Sequence, residues 1–130
     1  MKTNEFLAAF NRYVTLGDTP IGMMGHQINR PYAICKDGFS ISIQASKNHY
    51  CSPRLDMMGE YDEVELGFPS QLDELIDDFA EDPDTTQTVY GYVPVEVVDA
   101  LLEKHGGIVK AHTAKTPWES GWEVDDCTMI

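Results

Sequence analysis

His49 and Cys51 are the first pair in this chain whose types and spacing could do chemistry. They alternate on one side of what reads as a strand end, so imidazole and thiol could share a zinc ion with two further ligands or act as base and nucleophile. His26, His105 and His112 stand at no zinc-module spacing, and no third residue that would orient the imidazole can be picked out. His105 reads more simply as a cation at the negative end of a helix dipole. Asp82-Pro83-Asp84-Thr85-Thr86 offers oxygens to a hard cation but lacks the glycine and the closing glutamate of a calcium loop. Gly17, Gly22 and Gly25 follow no strand and make no phosphate loop. The expectation is no catalytic residue, no metal and no cofactor. The alternative is a metal-dependent or small-molecule site at His49, Cys51 and nearby carboxylates.

The elements that would position these groups follow from periodicity. Thr3 can cap a helix with the apolar stripe Phe6, Leu7, Phe10, Tyr13 and Val14, stopped by Gly17. Residues 17–30 read as a loop. PYAICK, Asp37-Gly38 and FSISIQA read as two strands on a two-residue turn, which sets Ile34 opposite Ile41 and Tyr32 opposite Ile43 on one face. Ser40, Ser42 and Gln44 then make a wetter face. Residues 49–54 read as a strand end and loop. Within 61–66, Val64 and Leu66 point one way and Tyr61, Glu63 and Glu65 the other. Pro69-Ser70 opens a second helix with Leu72, Leu75, Ile76 and Phe79 buried, and Pro83 ends it. Residues 88–93 are a strand, and Pro94 begins a third helix with the stripe Val97, Val98, Leu101 and Leu102, closed by Gly106-Gly107. Residues 108–111 are a last short strand. The C-terminal twenty residues carry Trp118 and Trp122 and read as irregular, either a lid over the core or anchors for a partner, which in an oligomer is another copy of the chain. Met23-Met24 and Met57-Met58 suit gap filling or an adaptable contact surface. The expected fold is one α+β domain over residues 1–130, with three helices against a mainly antiparallel sheet of three to five strands.

Composition bounds the function class. A chain of 130 residues with 42% hydrophobic content can bury one core. No apolar run approaches the roughly 18 residues of a membrane span, and MKTNEFLAAFNRYV does not read as a signal peptide. Cys35, Cys51 and Cys127 show no paired spacing, which suits a reducing cytoplasm. The net charge of −13 opposes binding to nucleic acid or to an anionic membrane.

That charge is unevenly spread. Residues 55–103 hold fifteen Asp or Glu and no Lys or Arg. Residues 1–54 balance at +3, from six basic and three acidic side chains, and the rest at −16, from three basic and nineteen acidic. On the expected second helix, Asp73, Glu74, Asp77, Asp78 and Glu81 lie opposite the apolar stripe, about one carboxylate per 2.4 Å of axis. Duplex DNA carries one charge per about 1.7 Å. If Asp82 and Asp84 extend the row, and Glu60, Asp62, Glu63 and Glu65 lie beside it, the surface imitates a phosphate backbone. A solvated face that keeps the protein soluble accounts for the same residues, but such faces normally mix signs.

Tyr50-Cys51-Ser52-Pro53-Arg54, then Glu63-Val64-Glu65-Leu66-Gly67-Phe68-Pro69-Ser70, then Val89-Tyr90-Gly91-Tyr92-Val93-Pro94, with the helix end Glu103-Lys104-His105-Gly106-Gly107, are similar to small accessory proteins of tailed phages and prophages. Such proteins include anti-CRISPR inhibitors and other counter-defence proteins that resemble nucleic acid electrostatically. The resemblance implies a class of target and transfers no functional residue. The expected partner is a host protein with a basic nucleic-acid-binding surface, and an oligomeric phage accessory domain is a further option.

Overall fold

Two apolar pairs at alternate positions, Ile41 with Ile43 and Val64 with Leu66, choose the buried side of a sheet, and all four are fully shielded in the computed structural model. The structure describes residues 2–10, 13–15, 26–28, 30–55, 60–81, 88–112 and 128–129. Its strands are β1 (Tyr13–Thr15), β2 (His26–Ile28), β3 (Tyr32–Cys35), β4 (Ser40–Gln44), β5 (Glu63–Gly67), β6 (Val89–Pro94), β7 (Ile108–His112) and β8 (Thr128–Met129). Its helices are α1 (Thr3–Ala9) and α2 (Val95–Lys104). The main sheet runs β6-β5-β4-β3-β7-β8 with every neighbour antiparallel, and β1 pairs with β2 in a separate ribbon. Both helices pack on one side of the main sheet, where Phe6 and Leu7 of α1 meet Val98, Leu101 and Leu102 of α2 over the apolar strand positions. Thr3 ties the helices together, its N–H and hydroxyl donating to Asp99 Oδ1 at 2.9 and 2.6 Å. Among the described residues no helix is long and apolar enough to cross a membrane.

The α+β class and the antiparallel sheet agree with expectation, five strands carrying the sheet and the two-residue β8 adding to its margin. The helix count does not. Residues 70–81 form turns and one 3-10 turn, Asp77–Phe79, in place of a second α-helix. Leu72 and Leu75, assigned to a buried stripe, are 51% and 39% exposed, while Asp73, assigned to the wet side, is 5% exposed. An α-helix would place 73 opposite its apolar stripe; the turn instead brings Asp73 and Ile76 inward together. At the N-terminus, α1 stops at Ala9, and Tyr13 and Val14 belong to β1, not to a helical stripe. The span read as a loop contains β2.

The β3–β4 hairpin is one residue out of the expected register. Ala33 faces Ile41 and Tyr32 faces Ser42, because the loop has three residues, Lys36 to Gly38, closed by Cys35 N–H to Phe39 O at 2.8 Å. Gly38 at φ +98° supplies the left-handed residue that a three-residue loop requires. One step of slip turns every side chain over. Ala33 and Cys35 therefore enter the core with Phe39, Ile41 and Ile43, and Tyr32 and Ile34 take the other face. That second face is polar yet shielded: Gln44 Nε2 donates to Arg30 O and Ser42 Oγ, and Gln44 Oε1 accepts from Arg30 N–H.

At the other margin, β6 carries a bulge. Val64 faces Val93 and Leu66 faces Tyr90, so Gly91 and Tyr92 together oppose Glu65, and both Tyr90 and Val93 reach the core. Tyr92 takes φ +52°, which turns its N–H toward Tyr50 O at 3.0 Å. Ala80 and Glu81 cover the start of the same strand, through the Ala80–Tyr90 bridge and Glu81 N–H to Val89 O at 2.9 Å.

Candidate functional site

The acidic residues separate into three groups once the chain is folded. Glu60, Asp62, Glu74, Asp77, Asp78 and Glu81 are exposed. Glu63 and Glu65 are half-buried on the sheet face away from the helices. Asp73 is buried and belongs to no outward face. Asp82 and Asp84 lie outside the described residues, as do Trp118, Trp122, Cys127 and both methionine pairs. No α-helical axis runs under Asp73, Glu74, Asp77, Asp78 and Glu81, so the spacing of one per 2.4 Å does not describe them. Topology brings three of the exposed ones, Asp77, Asp78 and Glu81, beside β6. β5, β6 and the 77–81 segment are consecutive neighbours at one margin of the sheet.

Asp73 is held by His105, the residue that caps α2. His105 Nε2 lies 3.1 Å from Asp73 Oδ2 and Nδ1 lies 2.7 Å from Asp37 Oδ2, so each ring nitrogen faces a carboxylate. Lys104 Nζ donates to Asp73 Oδ1 at 3.2 Å and lies 3.1 Å from Oδ2. The ring stacks on Phe39, with centroids 4.0 Å apart and planes 8° from parallel. Reading His105 as a cation at a helix end was thus half the account, since its partners lie 68 and 32 residues away. Burial pushes the Asp73 carboxyl up, but the Leu75 N–H, His105 and Lys104 outweigh it and hold it below the usual range. The Phe39 N–H and His105 lower Asp37 likewise.

A folded-state value below the unfolded one makes each carboxylate stabilising above about pH 4, and that stability is lost as pH falls through the folded value. The stability difference between the parent and Asp73→Asn is expected to shrink as pH falls from about 5 toward 3. Urea titrations across that range read it. Parallel losses in the two proteins would remove Asp73 from the acid response.

His49 and Cys51 do not build the site that their spacing allows. His49 Nδ1 meets Ser46 Oγ at 2.6 Å, and the Cys51 thiol donates to Ser46 O at 3.1 Å and Pro53 O at 3.4 Å. Burial pushes the Cys51 thiol up, and it pushes Cys35, with help from Asp37, to about 11. Both thiols are kept protonated at neutral pH, the opposite of an activated nucleophile. Among the described residues no three His, Cys, Asp or Glu side chains are grouped to hold a metal.

One exposed cluster was not singled out from the sequence. Tyr50 and Tyr92, each 43% exposed, face one another with centroids 6.0 Å apart and planes 26° from parallel. The Arg54 guanidinium sits 5.7 Å from the Tyr50 centroid. Tyr50 N–H donates to Glu65 Oε1 at 3.1 Å, while burial pushes the Glu65 carboxyl up against that bond and Arg54. The only local signal was a glycine between two tyrosines inside a strand pattern, a mark of a bulge or a close backbone approach.

Comparison with protein-family models, with curated proteins and with solved structures found no match.

Proposed function

We propose that this protein is a non-enzymatic inhibitor or adaptor, of the kind that phage and prophage accessory proteins provide, whose acidic margin occupies a basic nucleic-acid-binding surface of a host protein such as a CRISPR effector. The supporting observation is the sorting of charge by topology. β5, β6 and the 77–81 segment come from the stretch without Lys or Arg and are neighbours, whereas Lys36 and Lys110 lie on the β3–β7 side; Arg54, against Tyr50, and Lys104, paired with Asp73, are basic side chains that meet this stretch from outside it. Glu60, Asp62, Glu74, Asp77, Asp78 and Glu81 stay exposed in the acidic half. A field of one sign draws a cationic partner in and orients it more than it holds it. Carboxylate oxygens also satisfy the Lys and Arg donors that otherwise grip phosphates. The mechanism is occlusion and needs no cofactor.

Displacement tests it. Proteins captured from a bacterial lysate at low salt are expected to carry nucleic-acid-binding clefts and to release bound DNA or RNA when this protein is added. Release is expected to fade as salt shortens the screening length to a few ångströms. The combined variant Glu74→Gln, Asp77→Asn, Asp78→Asn, Glu81→Gln should weaken displacement about tenfold, four rim charges at a few tenths of a kcal/mol each. Asp73 stays out of this set because it is buried. Displacement that ignores both salt and the four changes would overturn the proposal.

A further inference from the structure

The tyrosine pair occupies a place that folding alone does not favour. Tyr92 keeps a bulky side chain at φ +52°, where glycine or asparagine sits at lower cost, and leaves its ring 43% exposed. The Tyr92 N–H bond to Tyr50 O requires the backbone turn, not the ring. Gly91 makes the approach possible: a Cβ there would come within 3.3 Å of Tyr50 Cβ, 3.6 Å of the Tyr50 ring and 3.6 Å of Glu81 Oε1. The root and ring edge of Tyr50 and the Glu81 carboxylate therefore converge over one glycine. Glu81 takes part in none of the ion pairs among the described residues. The chain's own Arg54 already rests against the Tyr50 ring, so a guanidinium packs on this pair, and Tyr92 is the exposed ring that Arg54 does not cover.

We propose that the Tyr50–Tyr92 platform is the anchor point of the acidic margin, and that it takes an arginine side chain presented by the partner protein. The inference rests on the reading above and names the group recognised. A planar guanidinium stacks on a tyrosine face and forks its N–H groups onto Glu81, which an ammonium does less well. The occupant is argued from charge: carboxylates at 65 and 81 against one arginine leave the platform net negative.

Acetylated hexa-arginine and hexa-lysine peptides are the probes, with affinities measured by calorimetry at low salt. The parent is expected to bind the arginine peptide about threefold to fivefold more tightly than the lysine peptide. Tyr92→Gly keeps the backbone turn without strain, so the fold survives; its preference should fall to near one with the lysine affinity unchanged. Tyr92→Phe should retain the preference. Equal affinities in the parent, or a preference that survives Tyr92→Gly, overturns the platform and leaves the acidic reading standing. Failure of the parent to bind either peptide overturns both.

Discussion

Replacing His105 with alanine should cost about 3–5 kcal/mol of folding stability, the usual loss when one member of a buried ionic cluster is removed. Domains of this size have about 5–15 kcal/mol in total, so the variant should lie near the edge of folding. The loss has identifiable parts. Asp73 is 5% exposed and would keep only Lys104 and the Leu75 N–H as partners. Phe39 would lose the ring stacked 4.0 Å away. Asp37 is half exposed and turns to water, so it adds little. Adding Asp73→Asn to His105→Ala should return part of the loss, because the stranded charge goes with it; a double-mutant cycle by chemical denaturation measures that coupling. Losses that simply add would mean that the two side chains do not act on each other.

The second large effect is expected at Ile76. It is fully buried inside a turn whose neighbours Leu72 and Leu75 are exposed, so it is the apolar pin of the 70–81 segment. Ile76→Ala should cost about 2–5 kcal/mol, depending on how far the site collapses. The loss should be largest in hydrogen exchange at Phe79 and Ala80, whose N–H groups bond Ile76 O and Asp77 O at 3.0 and 3.3 Å. A change below about 1 kcal/mol would show that the turn is held by Asp73 alone.

The same two pins explain what the sequence concealed. Leu72, Leu75, Ile76 and Phe79 are spaced like a helical stripe, and Asp73, Asp77 and Glu81 like its wet side. Leu72 and Leu75 break this pattern by facing water, and Asp73 breaks it by going inward, where His105 arrives to meet it from the end of α2, a partner with no local trace. The β3–β4 register was lost for a smaller reason. Asp37-Gly38 fits a two-residue turn as well as the end of a three-residue one, and alternating Ile and Ser residues pattern acceptably either way. Where local cues and burial agreed, at Val64, Leu66, Val98, Leu101 and Leu102, the expected faces and the observed ones coincide. The candidate surface was half legible: the stretch without basic residues is plain in the chain, but Tyr50 and Tyr92 meet only through a bulge and a passing loop, with no spacing to give them away.

The covered margin of β6 has a bearing on behaviour at high concentration. A sheet whose outermost strand shows a free row of amides and carbonyls is a template for the strand of another molecule, and long apolar margins of that sort seed aggregates. Here the Glu81 amide is spent on Val89, the Tyr92 amide on Tyr50, and the bulge breaks the straight run between them. A second copy meets no continuous ladder to copy on that side, so crowding should leave this acidic end dispersed instead of growing into fibres.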